Sequence, residues 1–411
     1  MASGLGMAIP WFSGCRGDVL EIVVGDCPVE TKGARVAHLW EAAETASAAE
    51  AIEVDLRVCG GPQVAGQSSG GFGPEIIASR RVTVEPAEEE RPVFQDLILT
   101  VRAPEALVFG CDMTRWLHVE VVAEVQDSLT PVVSLRMEDL TVERADISTS
   151  AFDIFGDAVD PEGTIQLDSV IASGDVNVGV AMFPHQREES VEVSNSAFGG
   201  TLTISGRSIT FDQSELGCGL QAFRDVSLSP GHWLDGSGGG FLVSDIELVG
   251  DDNCPRWIST WGFPQVELIG LSQSAEAAAR GVEVTISDAS DVALSDMTLT
   301  GTLSINDATA ASLHEIRIDG GGIIAQETPS LHLDAVEASG PATPLVLCPP
   351  TGIPGVLLAH RSEILSQDPT ASDASFCVDG AGDVGIQLPD GPIDWSCVTF
   401  NGALDCSGAE E

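Results

Sequence analysis

The chain of 411 residues carries 63 aspartates and glutamates against 18 lysines and arginines, a formal net charge of −45, yet 43% of it is hydrophobic and its mean hydropathy is +0.17. That charge excludes nucleic acid as a partner, because phosphate binding needs basic side chains that release counterions, while the hydrophobic content excludes wholesale disorder. No stretch approaches the ~20 uncharged apolar residues of a membrane span, so the mature chain is expected not to be transmembrane.

In chain order, residues 1–35 read as an N-terminal segment with features of an export signal. Residues 4–12 are apolar but short, interrupted by Pro10, and preceded by no Lys or Arg. Phe12-Ser13-Gly14-Cys15 resembles the lipobox of bacterial lipoproteins with Phe where Leu is usual, which makes Cys15 a candidate lipidation site and lipid anchor. Residues 36–60 then predict a capping helix and a first strand. Residues 36–49 contain neither Gly nor Pro, and Ile52, Val54, Leu56 and Val58 alternate with polar neighbours.

From residue 61 to 345 a ten-residue unit recurs: apolar, any, apolar, two polar or turn-forming residues, two variable residues, apolar, any, and often Gly. Residues 165–174 (IQLDSVIASG) and 331–340 (LHLDAVEASG) are near copies, with 191–200, 209–218, 241–250, a degraded member at 266–275, 292–301 and 311–320 between them, and 135–144 starts the series. Successive starts fall 18 to 32 residues apart, which is how rungs joined by loops of varying length would be spaced. The leading apolar pair alternates with period two and marks a strand with one buried face. Strands this short bury nothing alone. Stacked at ~4.8 Å they pair in parallel and share a core. The predicted fold is all-β, a single-stranded right-handed parallel β-helix. Val193, Phe211, Val243, Leu294, Leu313 and Leu333 should point inward in register.

Residues 346–411 read as the last coils and a cysteine-rich C-terminal cap. Ten cysteines occur in the chain and none forms a CxxC pair, so disulfides in an oxidising compartment are the economical reading. Cys218 with Cys254 is the expected mid-chain bridge. Cys377, Cys397 and Cys406 are expected to pair within the cap or with Cys348. Together these features point to a secreted or cell-surface protein.

The helix-then-strand start of residues 36–58, followed by Gly60-Gly61-Pro62 and the coils, resembles the pectin-lyase-like β-helix superfamily across roughly residues 36–400. The resemblance is one of architecture and implies a solenoid. Catalytic signatures of its enzymes do not carry over. Phe152-Asp153-Ile154-Phe155-Gly156 exchanges Asp and Phe relative to the methylesterase segment, and on a strand that shift turns Asp153 to the opposite face. Gly231-His232, Gly250-Asp251-Asp252 and Arg317-Ile318-Asp319 match the polygalacturonase pattern in neither order nor composition. The expected function is therefore a non-catalytic scaffold or binding rod for a polysaccharide or other cell-surface component. A diverged lyase or glycoside hydrolase is the alternative. Trp257 and Trp261 are the candidate sugar-stacking pair among the tryptophans. Asp245, Asp296 and Glu315 share the fifth position of the unit and are the candidate ligands for calcium, a hard cation that takes oxygen donors.

Overall fold

The computed structural model describes residues 19–28, 30–59, 61–63, 74–87, 91–124, 132–152, 158–159, 162–179, 188–224, 239–249, 254, 256–350, 353, 356–368, 371–377, 385–387, 398–400 and 403–405. The protein is all-β, built around one large parallel sheet system of many strands, with two short helices, Leu39–Ala49 and Ala275–Ala278, among the described residues. Among those residues two pairings are antiparallel: Ala151 and Phe152 with Val159 and Ala158, and Val398–Phe400 with Ala403–Asp405.

Three parallel ladders are visited in turn. In one passage the chain runs through Ile165 and Leu167 of the first, Val170 and Ala172 of the second, and Val176 and Val178 of the third. It then returns to the first ladder one rung further on, at Val191 and Val193. The first ladder is continuous in register from Leu20 through Val54, Val82, Ala106, Leu135, Ile165, Val191, Ile209, Phe241 and Val266 to Val292. It continues from Ala311 to Leu331 and Leu357. Val193, Phe211 and Val243 are direct register partners, as are Leu313 and Leu333, and Leu268 links Val243 to Leu294. All six expected residues are buried, and the inward side chains of the three ladders form one core cluster.

The corner between the first and second ladders explains the fifth position of the unit. Gly110, Asp139, Ser169, Asn195, Gln213, Asp245, Gly270, Asp296, Glu315, Ala335 and Arg361 all occupy it, and all have φ between 48° and 69°. A left-handed residue turns the strand sharply without a loop, and Gly, Asn and Asp accept that conformation most readily. The following residue then lies inward. Where it is serine, its hydroxyl replaces a missing ladder carbonyl. The Val170 amide donates to Ser196 Oγ (3.0 Å), the Ser196 amide to Ser214 Oγ (3.2 Å) and the Val336 amide to Ser362 Oγ (3.2 Å). Each of these hydroxyls donates in turn to the carbonyl two residues before it. Otherwise the buried amides would stay unpaired at a cost of ~1–3 kcal/mol each.

The N-terminal end differs from the sequence expectation. The ladder begins before the helix, because Val19–Val24 pairs in parallel with Glu53–Val58, and Ala34–Val36 pairs with the outer edge of Val19–Val24. The helix therefore starts at Leu39 instead of residue 36, and buries Leu39, Ala42, Ala43 and Ala46 on one stripe against the core. Ile52 lies outside the strand and is 41% exposed, whereas Glu53 is buried and ion-paired to Arg80 and Arg81 at 3.2 and 3.0 Å.

Disulfides join Cys218 to Cys254 and Cys348 to Cys377, and a third, unanticipated bridge joins Cys27 to Cys59. Their sequence separations of 29 to 36 residues staple neighbouring passages of the chain. Cys111 is free and buried, and burial pushes its thiol up to about 12 despite the opposing charge of Arg91. Cys15, Cys397 and Cys406 lie outside the described residues.

Two outcomes follow. Ala335→Gly relieves a left-handed alanine (φ 56°) and is expected to raise unfolding free energy by about 0.5–1 kcal/mol net of the added chain entropy, whereas Leu333→Ala should cost about 2–5 kcal/mol; denaturant titration of both variants checks the pair. Peptide mapping after alkylation should show Cys111 labelled in unfolded, unreduced protein. Cys27, Cys59, Cys218, Cys254, Cys348 and Cys377 should label only after reduction.

Candidate functional site

Arg256–Trp261 is a strand of the third ladder whose alternation buries Ile258 and turns Trp257, Ser259 and Trp261 outward. Trp257 is paired in register with Gly219, and a Cβ placed on that glycine would lie 2.5 Å from the indole. The ring therefore lies across the backbone of the neighbouring strand, where only glycine leaves room, with one face against the sheet. Trp261, at the other end of the strand, is 38% exposed and paired with Phe223. Four residues of strand separate the two indoles' backbones by about 13 Å, so they share a face without stacking on each other.

The central column of this outer face is polar and uncharged, whereas the column of Trp257 carries Glu283 on the next rung. Asn177, Thr203, Gln221, Ser259 and Thr285 form that central column on five successive rungs. Further toward the N-terminal end the same column holds Asp146 and His118. There the Trp116 Nε1–H donates to Asp146 Oδ2 (2.9 Å) and Asn177 Nδ2 donates to Asp146 Oδ1 (2.7 Å). The His118 ring tilts against Trp116 at 5.7 Å between centroids, and its Nδ1 is enclosed without a hydrogen-bond partner. Glu120 accepts from Ser150 Oγ at 3.2 Å. Sequence reasoning singled out neither Trp116 nor Asp146, His118 and Asn177, which come together from strands about 30 residues apart and carry no local motif.

The acidic residues proposed as calcium ligands do not converge. Asp245 and Asp296 stand two rungs apart with Gly270 between them, and Glu315 occupies the next corner beyond Asp296. Among the described residues no group of three or more His, Cys, Asp or Glu side chains is arranged to hold a metal ion. These acids recur because the corner is left-handed, a conformation that Asp accepts.

The fourth position of the unit brings charges together instead. Asp334 lies between His314 and His360 on adjacent rungs, with each Nδ1 3.0 Å from its carboxylate, and Arg361 donates to both carboxylate oxygens at 2.8 and 3.0 Å. The hydrogen bonds from His360 and Arg361 hold the Asp334 carboxyl well below the usual carboxylate range. Asp168 is likewise held down by hydrogen bonds from Asn195 and Ser194. Asp288 is the opposite case, raised by burial and by the neighbouring charge of Asp307. Arg317 pairs with Asp319 (3.0 Å) and Glu337 (3.7 Å) on the surface. Asp153, His232, Asp251 and Asp252 lie outside the described residues.

Compared with known proteins, the chain matches no family model, no curated protein and no solved structure, so its own residues carry the functional argument. No helix among the described residues is long and apolar enough to cross a membrane.

The two perturbed carboxylates give opposite signs. Asp334 is depressed in the folded state, so its stabilisation is present above the unfolded value of 3.8 and is lost as pH falls through the lower folded value. Asp288 is raised, so its ionised form is penalised at neutral pH and the penalty disappears below 3.8. In calorimetric scans at pH 7, Asp334→Asn is expected to lower Tm and Asp288→Asn to raise it, each by about 1–2 °C. Both differences should shrink as pH approaches 3.

Proposed function

We propose that this chain is an exported, right-handed parallel β-helix that acts as a rigid, non-catalytic rod and binds a neutral linear polysaccharide on the outer face of its third ladder. The observation that carries the reading is the pair of outward indoles, Trp257 lying over Gly219 and Trp261 exposed beside Phe223, at the two ends of a strand whose central outward column is hydroxyl and amide side chains. Aromatic faces pack against the C–H faces of sugar rings, and the polar column supplies hydrogen bonds to their hydroxyls. The net charge of −45 favours a neutral ligand over a uronate-rich one. Three disulfides support an oxidising, extracellular setting.

The alternative, a diverged carbohydrate-active enzyme, is favoured by one observation: His118, Glu120 and Asp146 share the outer face of the third ladder. Against it, Asp146 accepts hydrogen bonds on both oxygens from protein donors and Glu120 accepts one from Ser150, so these oxygens are engaged within the sheet.

Titration calorimetry against neutral glucans, mannans and xylans tests the reading, with pectate as the charged control. The W257A/W261A double variant is expected to lose at least about tenfold in affinity, given ~1 kcal/mol or more per stacked aromatic. Unchanged binding in that variant would remove the face from consideration. Release of reducing or unsaturated sugar ends from the same substrates would replace the rod with the enzyme.

A further inference from the structure

We infer that Trp116 is a second aromatic platform on the same face and that the ligand is a strand long enough to bridge it to Trp257, an inference that rests on the glycan-binding reading above. Trp116 and Trp257 occupy one column of the third ladder. Each immediately precedes a member of the buried series Leu117, Ala145, Val176, Leu202, Leu220 and Ile258, whose successive members are register partners. Five rung steps of about 4.8 Å therefore separate the two backbones, and the lean of Trp257 over Gly219 brings its ring about one step closer, to roughly 20–24 Å.

Trp116 is held ready for such a role. Its indole N–H is bonded to Asp146 one rung away, and Asp146 is in turn bonded to Asn177 on the rung beyond, so three rungs fix one ring. Asp146 has a hydrogen bond on each oxygen and no basic partner, an arrangement whose local effect is to orient the indole. A ring immobilised before binding costs little further entropy when a sugar stacks on it. In the platforms' own column the rungs between them carry Arg144, Asp175, Thr201 and Gly219, and in the neighbouring outward column, two residues along each strand, run the uncharged Asn177, Thr203 and Gln221. A disaccharide can occupy one platform alone. A longer chain laid parallel to the stack of rungs reaches both, and its second contact becomes intramolecular.

The test is a length series. Xylo-, cello- and manno-oligosaccharides of two to eight units are titrated calorimetrically into the full chain and into W116A, W116F, D146N and the W257A/W261A variant. For the oligosaccharide type that binds, affinity should be flat for the shortest members and rise at least about tenfold once the chain spans both rings. W116A should abolish that rise, W116F should retain it, and D146N, which replaces one of the two acceptor oxygens by a donor and so weakens the anchor of the indole, should give an intermediate loss. A flat length series, or a rise that survives in W116A, overturns the inference; if W257A/W261A still abolishes binding, the glycan-binding reading of the face stands. Absence of binding by every oligosaccharide overturns both. Because W116F and D146N are conservative in size, their melting temperatures separate loss of a platform from loss of fold.

Discussion

Parallel register is the constraint on which the rest of this molecule depends. Each rung buries alternate residues, so a slip of one position would turn its core outward and its polar groups inward. What pins the register is the left-handed corner after the first ladder, repeated from Gly110 to Arg361, together with serine hydroxyls that accept the corner amides of the preceding rung. Ala335, Gln213, Glu315 and Arg361 have no special liking for that backbone conformation. Their presence shows that the stack imposes it on whatever residue arrives. Variation in rung length is consigned to the loops, and so neighbouring starts vary while the corners stay aligned.

The same regularity decided what could be read from sequence. Buried positions repeat with period two inside a unit that itself repeats, so Val193, Phe211, Val243, Leu294, Leu313 and Leu333 were legible as one inward column. The corner was legible only as a preference for Asp, Asn and Ser, and that preference suggested calcium ligands where the structure has a backbone requirement at Asp245, Asp296 and Glu315. The first rung was missed because Val19–Val24 is short and separated from Glu53–Val58 by a helix, so no spacing ties the two together. The Cys27–Cys59 bridge was missed for the same reason. Trp116, Asp146 and Asn177 are neighbours only after three passages of the chain, and a local motif search has no access to them.

A net charge of −45 on stacked strands raises the problem of like charges one rung apart. Along the outer fourth position the chain answers with its own donors. Ser194 Oγ donates to Asp168 at 2.8 Å, and Ser244 Oγ donates to Asp212 at 2.8 Å. Asp334 is enclosed by His314, His360 and Arg361. From Asp168 to Ser244 and around Asp334, acids thus alternate with hydroxyls or bases in successive rungs, while Glu138, directly beside Asp168, is paired with Arg136 on its own strand. Asp288 and Asp307 break that alternation at the corner after the third ladder. There burial, and after it the neighbouring charge of Asp307, raise the proton affinity of Asp288, the more enclosed of the two.

This distribution also bears on why the third ladder is the face with a ligand to explain. The second ladder sets Glu215 and Glu247 side by side, and the fourth position of the first is closed by internal ion pairs and hydrogen bonds. Both are therefore accounted for by solubility and by mutual satisfaction of charge. On the third, an uncharged column runs for five rungs from Asn177 to Thr285 beside a column that holds two positioned indoles, one over a glycine and one by a carboxylate, with Arg144, Asp175 and Glu283 among its other members. Large rings left on a surface cost solubility and add little to a core that is already continuous. An uncharged column beside two positioned indoles is what motivates the proposed neutral polymer ligand, and the stacking of the rungs sets the separation between the two rings.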